Sequence, residues 1–337
     1  MIRKVLQKAI LIIPLTLALT ACVPERNDSP GTDGDAPHGE AYQAQGNEAI
    51  QGDAARSDAA DAVGVIPPMP VDDAPNWLAP DDLYNPDGLP VLEGPLAYRL
   101  QTPTRMLQLE PLTPGEELAI LHTNMGDITI RFFPEEAPIA VTNFKALARK
   151  GHYDGLIFHR VIPGFMIQGG CPLGTGGGGE SVWGGNFGSE RSFNLRHFRG
   201  ALAMAHAGPG TIGSQFYIVQ NNDLDSGFVS RFADYKAHLY ETIGILPDGT
   251  HIYLKDWHPI EALDYFIQNG GTPHLDWFWS VNPQTRQPSP AHAHPIFAHV
   301  VDGMDVVDAI ANTPQGAGNR PIDDMVIQRI SFIIYGE

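Results

Sequence analysis

From about Leu118 onward the sequence predicts a mainly β domain flanked by helices. Three observations carry that expectation. Short runs rich in β-branched and aromatic residues recur between Gly and Pro turns. Two segments place apolar residues at helical spacing. Residues 22–75 are too poor in large apolar side chains to compete with it for a core.

The elements follow in chain order. Met1 to Lys8 carries Arg3, Lys4 and Lys8, and an apolar run from Ala9 to about Leu19 follows. That is the pattern of a secretory leader, with an apolar stretch short for a bilayer span. It ends in Leu19-Thr20-Ala21-Cys22, which resembles a bacterial lipobox, with residues 1–21 as signal peptide and Cys22 as the lipidated mature N-terminus. The only other cysteine is Cys171, so an acylated Cys22 leaves no internal disulfide and the core alone must hold the fold. Residues 22–75 are rich in Gly, Ala, Asp, Gln and Pro and read as a disordered acidic tether. Residues 76–117 intersperse Trp77, Leu83, Tyr84 and Leu92 with prolines, as expected of an irregular arm with apolar anchors.

The domain proper spans residues 118–337. Ile120 to Asn124 and Asp127 to Phe133 read as strands around a turn. A helix is expected from Pro134 to about Lys150, with Val141, Phe144, Leu147 and Ala148 on its apolar face and Gly151 ending it. Phe158 to Ile162 reads as a strand, Pro163-Gly164 as a turn, and Phe165 to Gln168 as a second short strand. Alternation in that strand sets Phe165 and Ile167 on one face, Met166 and Gln168 on the other. Arg160 thus stands beside an apolar surface, either as a snorkelling, ion-paired residue or as a working hydrogen-bond donor. A second flanking helix is marked by Val306, Val307 and Ile310, and the last strand by Met325 to Ile334.

Gly174 to Gly179 fits G-x-G-x-x-G, but no strand leads into it and no helix follows, so it reads as a flexible surface loop rather than a dinucleotide site. The formal net charge of −18 argues against nucleic acid, whose phosphates need a basic face. His292, His294 and His299 invite a metal reading, yet in a strand His294 and His299 point to opposite faces, and no metal is expected.

Three blocks then carry a family resemblance. FHRVIPGFMIQGG (158–170), LAMAHAGPGTIGSQFYI (202–218) and HPIFAHVVDGMDVVDAI (294–310), in that order, resemble the signatures of the cyclophilins, the peptidyl-prolyl cis-trans isomerases. The resemblance implies a closed eight-stranded barrel flanked by two helices, here with a helical insert. It covers roughly Leu118 to Tyr335 with interruptions at about 221–270 and 277–293. In the first, Phe232, Tyr235 and Leu239, then Leu263, Phe266 and Ile267, are spaced for helix faces; the second holds Trp277, Phe278 and Trp279.

The site follows by the same resemblance. Arg160, Gln168 and His159 form the catalytic group, while Phe165, Met166, Ala205, His206, Gln215, Tyr217, Leu275 and His294 bind substrate. Tyr217 replaces a usual phenylalanine, and its hydroxyl is expected to narrow or wet the pocket. His206 replaces a common asparagine and His274 a frequent tryptophan. Peptide-bond rotation faces a barrier of about 18–20 kcal/mol set by amide resonance. Its catalyst needs to bind the twisted bond better than either planar form, not a nucleophile or a cofactor. The expected function is isomerisation of X-Pro bonds in polypeptides of the bacterial envelope, by a monomer tied to the membrane through its lipid, without cofactor. The alternative is a non-catalytic module that holds proline peptides or clients.

Overall fold

The computed structural model describes residues 105–245, 249–276 and 293–337. The arm over 76–104, the tether, Cys22, His292 and the aromatic run Trp277 to Trp279 lie outside those residues.

The described chain opens with a single 3-10 turn, Leu107–Leu109, followed by β1 (Glu117–Thr123) and β2 (Gly126–Phe132). Helix α1 covers Pro138–Arg149, and β3 (Arg160–Ile162) and β4 (Met166–Gly169) flank a tight turn. Next come β5 (Ala201–Met204) and β6 (Phe216–Val219). The first insert holds α2 (Ser226–Ala237), β7 (Thr242–Ile245), β8 (His251–Tyr253), α3 (Leu254–Trp257) and α4 (Ile260–Asn269). The chain closes with β9 (Ile296–Asp302), α5 (Met304–Ala311) and β10 (Ile327–Ile334).

Eight strands form one antiparallel sheet in the order β10-β1-β2-β9-β5-β6-β4-β3. Backbone hydrogen bonds also join the segments leading into its outermost strands: Phe158 N–H donates to Met325 O at 2.9 Å and Ile327 N–H to Leu156 O at 2.8 Å. Alternation divides the central strands between two apolar clusters. Ile167, Leu202, Met204, Phe216, Ile218 and Phe297 face the main core, which α1 completes with Phe144 and α5 with Val307 and Ile310. Their neighbours Met166, Ala201, Ala203, Tyr217 and Val219 face a second cluster with Leu275 and Ile296. A strand buried on both faces reads as a continuous apolar run, as FYIV in β6 does.

Several expected boundaries shift for local reasons. Helix α1 begins at Pro138 rather than Pro134, because proline keeps the preceding Ala137 out of the helical region and suits the first helical position itself. The Glu190 carboxylate accepts the free amides of Ile139 (2.9 Å) and Ala140 (2.8 Å), satisfying that end. Phe165 is in the turn, not in β4, so the expected alternation begins at Met166, and Phe165 packs in the same cluster as Met166. The ladder of β3 starts at Arg160 and that of β10 at Ile327, each two residues later than expected.

The insert is helical as expected, but it also carries the β7–β8 hairpin. Phe232, Tyr235, Leu239, Leu263 and Phe266 bury against Phe198 and Met106, joining the insert to the sheet and to the end of the arm. Ile267, expected on that face, is 37% exposed. The insert leaves and rejoins the domain through a narrow neck, where the Asn221 side chain donates to Gly271 O at 2.8 Å. The arm's end is clamped by buried Gln108, which donates to Arg196 O (2.9 Å) and accepts Arg196 N–H (2.7 Å).

Candidate functional site

Strands β3, β4 and β6 bring Arg160, Gln168 and Gln215 into one chain of hydrogen bonds. Arg160 and Gln168 are direct cross-strand partners, and Arg160 Nη1 donates to Gln168 Oε1 at 3.5 Å. Gln168 Nε2 donates to Gln215 Oε1 at 3.0 Å, and Gln215 Nε2 donates to Gly176 O (2.8 Å) and Gly178 O (2.7 Å). The direction of this chain is forced. Carbonyls only accept, so Gln215 must turn its amino group to the glycine-rich loop and its oxygen to Gln168. Gln168 must then turn its own oxygen to the guanidinium. The glycine-rich segment, expected as a flexible surface loop, is thereby joined through Gln215 and Gln168 to Arg160. Glycine is required where the loop meets β6, since a Cβ on Gly213 would collide with the Gly179 carbonyl.

Beside this polar chain lies the second apolar cluster. Met166, Tyr217 and Leu275 are buried in it, with Phe165 and Ala205 half-buried at its margin. His274, exposed at the rim, stacks on Phe165 with ring centroids 5.9 Å apart, and Phe228 of α2 lies 6.3 Å beyond it. His294 precedes β9 and stacks on His206 at 4.1 Å, with its ring edge-on to Tyr217 at 5.3 Å. His294 Nδ1–H donates to Met204 O at 3.1 Å. Burial, and then the neighbouring His206 and His197, hold its pKa well below the ordinary value. His206 accepts Gly208 N–H on Nδ1 (3.1 Å) and donates from Nε2 to Ala293 O (3.1 Å), which fixes it as the neutral Nε2–H tautomer.

His159, next to Arg160, is buried with its ring near Gly176. Burial, then the charges of Arg160 and Arg320, lower its pKa to about 4, so it is neutral at ordinary pH. His299 faces elsewhere: its Nδ1 accepts from Gln108 Nε2 at 3.2 Å, far from the partners of His294. No cluster of three potential metal ligands occurs among the described residues.

One expectation is corrected here. The Tyr217 hydroxyl does not stand free to narrow or wet a pocket; it is buried and hydrogen-bonded to His197 Nε2 at 3.0 Å. His197 Nδ1–H in turn donates to Asp276 Oδ1 at 2.9 Å, and the same oxygen accepts His197 N–H at 2.7 Å. A buried phenol needs a polar partner, and this pair supplies it. His197 and Asp276 were absent from the expected site. The two residues are 79 positions apart, and neither stands out from its polar neighbours in the sequence.

Residues of the three sequence blocks thus meet in one place: the chain from Arg160 through Gln168 to Gln215, the apolar cluster of Met166 and Tyr217, and His294 edge-on to Tyr217. Residues 118–239 and 259–332 match the family model described as cyclophilin type peptidyl-prolyl cis-trans isomerase/CLD. The chain belongs to the cyclophilin-type peptidyl-prolyl cis-trans isomerase family. A candidate peptidyl-prolyl cis-trans isomerase of Staphylococcus aureus (strain USA300) is 39% identical over 216 residues, covering 64% of this chain and 91% of its own. A candidate bifunctional phosphatase/peptidyl-prolyl cis-trans isomerase of Streptococcus pyogenes serotype M6 is 41% identical over 239 residues, 70% of this chain and 42% of that one. Among solved structures, a Cryptosporidium parvum cyclophilin crystallised in the presence of the dipeptide Ala-Pro is 27% identical, with a TM-score of 0.44, covering 65% of this chain and 99% of that one.

Proposed function

We propose that this isomerase binds the proline of an X-Pro bond over Met166, Tyr217 and Leu275, and that Arg160 donates to the prolyl nitrogen as the bond twists. The observation that carries the reading is the one-way chain from the glycine-rich loop through Gln215 and Gln168 to Arg160. As resonance is lost the nitrogen lone pair becomes available, so the arginine's hydrogen bond strengthens in the transition state and weakens again in either planar form. Arginine suits this because its charge is permanent and its donors form a rigid fork. In this reading His159 stays neutral and adds no second charge beside the guanidinium. Phe165, Ala205 and His294 bound the groove, and the backbone of His206 meets the residue before proline.

The eight-stranded sheet, on this proposal, closes into a barrel through the hydrogen bonds that join the segments before β3 and β10. The enzyme acts on polypeptides of the bacterial cell envelope, held to the membrane by a lipid on Cys22 and a flexible tether. That location rests on the basic leader, its short apolar run and the Leu-Thr-Ala-Cys sequence.

A protease-coupled isomerisation assay on an X-Pro tetrapeptide tests the assignment. Arg160→Ala should keep the fold and lower turnover by about two to three orders of magnitude, the usual effect of removing a transition-state donor. Arg160→Lys should restore little, since a point charge does not reproduce the fork. Near-normal turnover by the alanine variant would remove Arg160 from the mechanism. Separately, Cys22→Ser should shift the full chain from the membrane fraction to the soluble one; continued sedimentation with membranes would refute the lipid anchor.

A further inference from the structure

We propose that His197 and Asp276 are positioning residues that hold the Tyr217 hydroxyl beneath the proline pocket and so make the pocket floor select proline over hydroxylated proline. The inference rests on the reading of Met166, Tyr217 and Leu275 as that pocket, and goes beyond it in assigning the specificity to residues that do not touch substrate.

The geometry leaves the hydroxyl one place to go. Tyr217, His197 and Asp276 are each at most 2% exposed, so water does not solvate any of them from outside. Asp276 presents an acceptor to His197 Nδ1, which must therefore carry a proton. Nε2 pairs with the Tyr217 hydroxyl at 3.0 Å and accepts from it whenever Nδ1 alone carries the ring proton. The phenol and imidazole planes are nearly parallel, 13° apart, and the hydrogen bond to His197 fixes the tip of the phenol. The ring that is fixed contacts His294 at its edge and stands opposite Gln168 across the β4–β6 ladder. Asp276 directly follows Leu275, so one short turn supplies both a pocket wall and the anchor of the relay.

The chemical consequence is selectivity. A pyrrolidine ring has no group to pair with a phenol, so a hydroxyl turned into the pocket would be stripped of water by every proline that binds. Held on His197, it leaves an apolar ring face for the substrate and offers nothing to a hydroxyl on the proline ring. A 4-hydroxyproline then buries its own hydroxyl without a partner and is rejected.

The test uses Ala-Ala-Pro-Phe and Ala-Ala-Hyp-Phe anilides with the protein, His197→Leu, Tyr217→Phe and the double variant. His197→Leu should raise KM for the proline peptide about tenfold with a smaller change in kcat, and should shrink the preference for proline over 4-hydroxyproline. In the Tyr217→Phe background, with no hydroxyl to hold, the same substitution should change KM less than threefold. Equal effects in both backgrounds would overturn the proposal, because the histidine would then act on the fold alone. Should His197→Leu fail to fold, His197→Gln keeps an acceptor near the Nε2 position and should keep KM within threefold of the unaltered protein; a tenfold rise there would count against the relay. Nitrogen-15 imidazole shifts of the unaltered protein give a reading independent of activity: Nδ1–H with Nε2 accepting is expected, and an Nε2–H ring overturns the proposal. Absence of turnover by the unaltered protein would instead fall on the isomerase reading and leave the tautomer result standing.

Discussion

Replacing Gln215 by Glu removes the two hydrogens that reach Gly176 O and Gly178 O while leaving the side-chain shape almost unchanged. The loop carbonyls lose their donor, and a carboxylate now faces the loop's oxygens. Stability should fall by about 1–3 kcal/mol, the cost of stranding a part-buried polar group, as read by urea unfolding. Turnover should fall about tenfold, because the carboxylate still accepts from Gln168 Nε2 but is no longer tied to the loop that places it. Unaltered turnover would mean that the guanidinium is oriented by something other than the loop. At this scale the sequence was informative wherever a role depends on neighbours in the chain. Arg160, Met166 and Gln168 sit in one short run, and their faces follow from alternation. The direction of the Tyr217 hydroxyl was not legible, because its partner is 20 residues away and that partner's anchor 79 residues further on.

Helix α4 is short, yet Phe266 makes it the centre of the insert. Its ring lies 4.7 Å from Phe198 of the domain and 5.7 Å from Phe232 of α2, so one side chain packs α2 and α4 against the domain. Phe266→Ala should cost about 3–5 kcal/mol, as truncating a buried aromatic does, measured by urea or thermal unfolding of the whole chain. A loss below about 1 kcal/mol would mean that the insert's stability is uncoupled from the sheet. The two long helix faces were readable from periodicity: four of the six apolar positions expected there pack in helices α2 and α4, Leu239 just beyond α2, and only Ile267 turns out. The β7–β8 hairpin was not, since Thr242 to Ile245 is four residues with a glycine inside and has too little pattern to register. The start of α1 was misplaced because Pro134 and Pro138 are both plausible first residues; the deciding partner, Glu190, is 51 positions away.

Acid should destabilise the molecule well before its carboxylates titrate. Burial, first, and then the charge of a nearby arginine hold His159 at about 4, His258 at about 3 and His299 at about 3. The folded protein keeps these rings neutral while the unfolded chain protonates them below about 6.5. Their contribution to stability is therefore intact above pH 6.5 and drains away as pH falls toward the folded values, each group tending to about 1.4 kcal/mol per pH unit. The urea midpoint should drop steeply between pH 6.5 and 5, and His299→Gln, which retains a partner for Gln108, should flatten that slope. A midpoint constant to pH 5 would contradict neutral, buried imidazoles. The acidic net charge of −18 acts in the opposite sense, since protonation reduces self-repulsion, so a steep fall would be all the more diagnostic.

The neck at Asn221 and Gly271 has a further consequence for how such a chain can change length. Closing a flexible loop costs an entropy that rises only with the logarithm of its length, about 0.6 kcal/mol for each doubling. With both ends already pinned by the Asn221–Gly271 hydrogen bond, residues can be gained or lost beyond the neck without altering the separation that β6 and the Pro273–Leu275 turn must keep. Length can therefore change beyond the neck at small entropic cost, provided that Phe266 keeps its contact with Phe198 and Phe228 its place beside His274.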